Sequence, residues 1–214
     1  MSHDTTSISV DDKKQPVTTL APQQTGETRS FVLYTVIAFA VAVLVRILVA
    51  APYLVSGPSM DNTFHNADYL IVQKYSACVP LTSSCVTWGA PQRGDIIVFR
   101  LPQNQSQTLI KRVIGIPGDT ITINGINVRI KNQVHPEGIT LSEPYITPED
   151  AGGPTGETIT LNADQYFAMG DNRHVSFDSR SWGPLPTEDI IGRVVLRLYP
   201  FTQIGLTPGE ARYQ

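Results

Sequence analysis

The sequence predicts a mainly β fold, an antiparallel sheet domain carrying a hairpin-rich insertion, preceded by one N-terminal transmembrane helix. Residues 31–51 read FVLYTVIAFAVAVLVRILVAA, apolar apart from Thr35 and Arg46. Downstream, short apolar runs alternate with polar residues and are bounded by Gly, Pro and Asn, the pattern of strands and turns. The 214 residues include 16 Gly and 16 Pro and are 41% hydrophobic. With many Thr, Ile and Val, this composition favours turn-rich β structure over a helical bundle. A chain of this length buries one core with at most a small subdomain.

Taken in order, residues 1–30 are rich in Ser, Thr, Gln, Asp and Lys without periodicity, and are expected to form a disordered tail. The run from Phe31 matches the roughly 20 residues that cross a bilayer. A buried core helix would show a polar face, which this run lacks. A cleavable leader has an apolar stretch of only about 7–15 residues and no thirty-residue tail before it. Arg46 lies near the end of the span, where its stem can snorkel, and Tyr53 falls at headgroup level. Lys13, Lys14 and Arg29 before the span favour a cytoplasmic N-terminus, since acidic residues count little in this rule. The rest of the chain then lies outside.

Strands are expected over Tyr69–Gln73, Asp95–Arg100, Thr108–Ile114, Thr120–Ile123, Ile126–Ile130, Glu157–Leu161, Gln165–Met169 and Gly192–Tyr199. Asn124-Gly125 has the chemistry of a tight hairpin turn. The organisation predicted is a tail (1–30), an anchor and interface segment (31–55), a β-rich domain (56–205) and a C-terminal tail (206–214).

Net charge is −3, with Lys and Arg scattered, so the basic stripe of a nucleic-acid binder is missing. Cys78 and Cys85 flank a Pro-containing loop. Outside the cytoplasm they would form a short-loop disulfide, and in a reducing compartment two free thiols. Zinc would need two further ligands that the spacing does not supply. No metal site is expected.

Ser56-Gly57-Pro58-Ser59-Met60 follows the apolar run almost at once. Four residues separate Val55 from Ser59, so even an extended chain keeps that hydroxyl within about 15 Å of the anchor's end. A serine in a Gly/Pro turn is most often only a turn residue. Lys111, however, lies in a strand pattern among apolar neighbours, and alternation sends Lys111 and Arg112 to opposite faces, so that one points inward. A serine needs a base to become nucleophilic, and a lysine with its ordinary pKa near 10.4 is protonated at neutral pH. Burial lowers that value by disfavouring the charged form. A Ser-His-Asp arrangement could instead use His65, His135 or His174, none of which has a supporting local context.

Ser56 to Met60, Arg93 to Phe99, Lys111 to Asp119, and Gly170-Asp171-Asn172-Arg173 through Ser176, Asp178, Ser179, Arg180 and Trp182-Gly183 resemble the ordered boxes of type I signal peptidases. The resemblance runs from the apolar span to about Gly205, and four motifs in the right order make it specific. It implies an antiparallel β catalytic domain in which Ser59 is the nucleophile and Lys111 the general base. It further implies that Ser176 hydrogen-bonds and orients the lysine, and that Asp178 and Arg180 form a structural pair. Gly170 and Asp171 read as structural.

The implied reaction is acyl transfer with the backbone N–H of Ser59 stabilising the oxyanion. Some members place a serine two residues before the nucleophile as a second oxyanion donor. That position is Gly57 here, with Ser56 one residue further back. Where the family usually has Pro-Thr after the nucleophile, this chain has Asn62-Thr63, which predicts a looser turn. Met60 and Ile110 are candidates to line shallow apolar substrate pockets. The implied partners are preproteins bearing signal peptides and the lipid bilayer of the inner (cytoplasmic) membrane, with no cofactor, metal or nucleic acid, and the enzyme is expected to act as a monomer. Two other readings are a self-cleaving Ser-Lys protease of the repressor type, disfavoured by the anchor, and a membrane-tethered β module with a vestigial dyad.

Overall fold

The computed structural model describes residues 25–78, 85–87, 89–150, 152, 155–211 and 213. Most of the expected tail, up to residue 24, lies outside them. The chain divides into two compact units, Met1–Ala40 and Val41–Gln214. Helix α1 spans Thr25–Leu48, so residues 25–30, read as tail, are helical. Phe31, Val32, Leu33, Tyr34, Val36, Ile37, Phe39, Val41, Val43 and Leu44 are all exposed. Among the described residues no helix is long and apolar enough to cross a membrane, the side chains of α1 being described only from Arg29 to Leu44 and at Arg46.

The strands follow as β1 (Ala50–Leu54), β2 (Tyr69–Lys74), β3 (Ser76–Cys78), β4 (Cys85–Thr87), β5 (Ile96–Leu101), β6 (Asn104–Gly115), β7 (Thr120–Asn124) and β8 (Asn127–Lys131). Then come β9 (Ile139–Thr140), β10 (Thr155–Thr160), β11 (Gln165–Met169), the short helix α2 (Ser179–Trp182), β12 (Leu185–Pro186), β13 (Ile190–Tyr199) and β14 (Gly205–Leu206). All pairings are antiparallel. The main sheet runs β1-β2-β13-β5-β6-β11-β12, with β14 added to β13, and a smaller sheet runs β10-β7-β8-β9. This mainly antiparallel β architecture is the one the alternating runs predict.

Ala50–Leu54, within the expected anchor and interface segment, is a strand registered on Gln73 to Tyr69. Leu54 apart, its residues are half-buried against β2, which gives the segment a partner that its sequence does not announce. In the β3-β4 hairpin Cys78 stands opposite Cys85, but their side chains and the loop 79–84 lie outside the described residues.

From Ile96 to Phe99 strand β5 is buried on both faces, which explains the unbroken apolar run there; Arg100 is exposed. Ile96 and Val98 pack with Met60, Phe64, Leu70, Val72 and Val194, while Ile97, Phe99 and Leu101 pack with Val113, Ala168, Trp182 and Leu185. In the smaller sheet Ile121, Ile123, Val128 and Ile130 point to a third cluster with Ile114 and Phe167. On the opposite face Thr120 meets Thr160 and Thr122 meets Thr158 through their hydroxyls, at 3.0 and 3.1 Å. The period of two is thus preserved on both sides.

Candidate active site

The turn bearing Ser59 is anchored rather than loose. Val55 and Asp68 close its base, with Val55 N–H on the Asp68 carbonyl and Ala67 N–H on the Val55 carbonyl, both at 2.9 Å. Inside it, Asp61 N–H donates to Pro58 and both Thr63 and Phe64 N–H donate to Met60. Met60 and Phe64 are wholly buried, so two side chains nail the turn to the core on either side of the backbone bonds. Gly57 has φ of 94°, a left-handed conformation that a Cβ disfavours.

Lys111 reaches this turn from β6. Its Nζ donates to Ser59 Oγ at 2.7 Å and to the Ile110 carbonyl at 2.7 Å, and the residue is 2% exposed. Burial pushes its pKa down from 10.5 to about 8, although Asp178 and then Asp171 pull the other way. Strand alternation is expected to turn one of Lys111 and Arg112 inward, yet both are buried. The sheet is covered on its second face too, where Arg112 meets Asp171 at 2.8 and 2.6 Å.

The third wall is the segment after β11. Asn172 N–H donates to the Ser59 carbonyl at 3.2 Å, and a methyl group on Gly170 would overlap that carbonyl and Ser176 Oγ. Gly170→Ala is therefore expected to lower kcat/KM by about tenfold or more with the fold retained, as misplacing a reacting group by 1 Å can do. Steady-state kinetics beside a circular dichroism melt checks it. Asp178 is fully buried and accepts from Gly170 N–H at 3.0 Å and from Arg180 Nε and Nη2 at 2.8 Å. Burial alone would raise its pKa, but the Arg180 guanidinium and the Gly170 N–H outweigh it and hold the carboxyl below the usual range. Arg180 also donates to the Gly152 and Arg173 carbonyls, so this pair ties three segments together.

Ser176 stands beside Gly170 but makes no hydrogen bond to Lys111. The Lys111 ammonium is turned to Ser59 and to its own strand carbonyl, and the Ser176 hydroxyl instead helps to hold the Asp178 carboxyl low. Met60 also departs from expectation. It packs in the core and does not line the cleft beside Ser59, because the turn needs it as an anchor. Ile110 does line that cleft, a cavity of about 170 Å³, as do Ser56, Ser59 and Lys111. Sequence reasoning missed Tyr53, Leu70, Val98 and Leu109 in its walls. No signal marked them, since they come from four strands brought together only by the sheet. No histidine lines the cleft; His65 and His174 are exposed.

The cleft touches both β1 and β6, although these lie four steps apart in the sheet order. The sheet curls so that the free edge of β1 and the stretch of β6 before Arg112, paired only to β5, flank one apolar groove. A hydroxyl held on a buried amine at the end of such a groove has what a serine hydrolase requires, a nucleophile with an adjacent base.

A family model described as signal peptidase, peptidase S26, matches residues 28–199. The signal peptidase I of Leptolyngbya laminosa is 36% identical over 178 residues, 79% of this chain and 78% of that protein. The signal peptidase I of Bacillus amyloliquefaciens is 34% identical over 182 residues, 80% of this chain and 88% of that protein. The crystal structure of a signal peptidase I from Enterococcus faecalis V583 covers 50% of this chain and 98% of its own, with 30% identity and a TM-score of 0.42. The chain belongs to the signal peptidase family, peptidase S26, and is a serine endopeptidase.

Proposed function

We propose that the protein is a membrane-anchored endopeptidase that removes signal peptides from exported preproteins, with Ser59 as nucleophile and Lys111 as general base. The observation that carries this reading is the 2.7 Å contact between Lys111 Nζ and Ser59 Oγ in a buried setting. Neutral Lys111 takes the Ser59 proton as Oγ attacks the scissile carbonyl, then passes it to the leaving amine. A water activated by the same amine hydrolyses the acyl-enzyme. The Ser59 N–H stabilises the oxyanion, Ser56 at the cleft mouth being the nearest side-chain candidate to add to it. Ser176 contacts the lysine only when that amine leaves the Ile110 carbonyl, and Asp178 and Arg180 hold the wall. The substrate enters extended, its backbone adding to a free strand edge and small apolar side chains filling the groove.

Residues 31–51 serve as the membrane anchor, supported by their apolar run and by the exposure of apolar side chains all round α1. The positive charges before the run put the N-terminus in the cytoplasm and the β domain outside. A lipid surface close to the cleft is supported by Leu54, Tyr69 and Tyr199, exposed side chains in register across β1, β2 and β13. The enzyme works as a monomer without cofactor.

The test is cleavage of a preprotein with small residues at the first and third positions before the scissile bond, in detergent or lipid, across pH. The base works neutral, and burial places its pKa at about 8. Consequently kcat/KM should rise about tenfold per pH unit below that value and level off above it. A profile that instead rises near pH 6.5 would move the base to a histidine.

A further inference from the structure

Of residues 206–214, expected as a tail, those described (206–211 and Tyr213) are built into the wall behind the dyad. Gly205–Leu206 extends the sheet as β14, and the Thr207 N–H donates to the Val195 carbonyl at 2.8 Å. At Gly209, φ is 73° and a Cβ would overlap the Thr63 methyl. Its carbonyl accepts from Arg112 Nη1 at 2.5 Å. The Ala211 carbonyl presses on Gly94, where no Cβ fits, and the Gly94 carbonyl takes the second Nη1 bond at 3.1 Å. The Tyr213 hydroxyl meets the Tyr145 hydroxyl at 2.5 Å, and the Tyr145 ring lies 3.8 Å from the Arg112 guanidinium.

A guanidinium has five N–H donors, and here every one has an acceptor: Asp171 twice, Thr63, Gly94 and Gly209. Arg112 is 0% exposed, so water cannot stand in for a lost acceptor. Its sequence neighbour and two of its partners lead to the dyad. Lys111 precedes it on β6, Thr63 lies in the Ser59 turn and donates to Asp171 at 2.5 Å, and Asp171 adjoins the glycine on which the Ser59 carbonyl rests.

We propose that Thr207, Gly209, Ala211 and Tyr213 form a clamp that sets the working geometry of the Ser59–Lys111 pair by holding Arg112 on Asp171, which makes Gly209 and Tyr213 positioning residues. The proposal rests on the Ser-Lys reading. The charged groups that act on Lys111 are Asp178, Asp171 and Arg180. With Arg112 seated, the Asp171 carboxylate is engaged. Once Arg112 loses its Gly209 acceptor or its Tyr145 platform, that carboxylate acts more fully on the amine and favours its protonated form.

Gly209→Val and Tyr213→Ala in the full chain test this, with Tyr213→Phe keeping the ring and removing only the hydroxyl contact. Lysine labelled with carbon-13 at Cε gives the titration of Lys111, assigned by its loss in Lys111→Met. The titration midpoint should move to higher pH by about half a unit or more in the first two variants and by less in the third. At pH 7, kcat should fall severalfold, roughly in step with the lost neutral fraction, with KM little changed. Unchanged titration and kcat in folded variants, whatever their melting temperature, overturn the clamp. If the first two do not fold, Tyr213→Phe decides alone, a shifted midpoint supporting the clamp and an unshifted one ending it. Failure of the unaltered protein to cut a preprotein would sink the Ser-Lys reading, while the titration still decides the clamp.

Discussion

Ser59→Ala and Lys111→Ala are each expected to lower kcat/KM for preprotein cleavage by about 10⁴ or more, and the double variant little further. Residues that act as one unit lose their function together, so their separate losses do not add. The measurement is single-turnover cleavage at high enzyme concentration, which keeps a trace of unaltered protein from passing as residual activity. Retained cutting by Lys111→Ala would place the base elsewhere. Lys111→Met supplies the control for folding. Burial lowers the lysine pKa from 10.5 to about 8, so the native state disfavours the bound proton. The resulting destabilisation is fully present below about pH 8, is relieved as pH rises from there, and is gone above the unfolded value of 10.5. Methionine carries no such charge. At pH 7 Lys111→Met should therefore melt at or above the temperature of the unaltered protein, by up to roughly 3 kcal/mol in stability. An inactive but more stable variant could not owe its inactivity to unfolding.

How far the sequence reaches depends on whether a feature is local. The alternating runs place β2, β5, β7, β8, β11 and β13 within a few residues, because side-chain period and turn chemistry are both written in neighbouring positions. They miss β1, β3, β4, β9, β12 and β14, short pieces that show no period. The site behaves likewise. Ser59, Lys111, Asp178 and Arg180 sit inside recognisable boxes, and they meet in one place. The cleft walls come from side chains that read as ordinary core. Arg112 is the instructive miss. Its neighbour Lys111 satisfies the demand that one of the two face inward, and nothing local reveals that Gly209 and Tyr213 come back to enclose the other face. Met60 errs in the opposite sense, since adjacency to Ser59 suggests a substrate contact where the turn uses it as an anchor.

The enclosed arginine leads to the largest expected loss of stability. Arg112 and Asp171 are both 0% exposed and joined at 2.6 Å, and the arginine side chain crosses from β6 to four other segments. Arg112→Gln keeps some volume and hydrogen-bonding capacity but leaves the Asp171 carboxylate buried without its cation. Removing one partner of a buried pair costs about 3–5 kcal/mol, largely the uncompensated charge of the other. For a domain of this size that lowers the melting temperature by on the order of 10 °C. Arg180→Gln should cost less, because Asp178 keeps the Gly170 N–H and Arg180 itself is partly exposed. Double variants separate pairing from packing. With Asp171→Asn in place, the charge left behind by Arg112→Gln is gone, so the pair should lose less than the two single changes added together. Calorimetry of the four proteins gives that difference. Additive losses would mean that Arg112 contributes through its carbonyl and Tyr145 contacts rather than through Asp171, and that the ion pair is incidental to the wall it crosses.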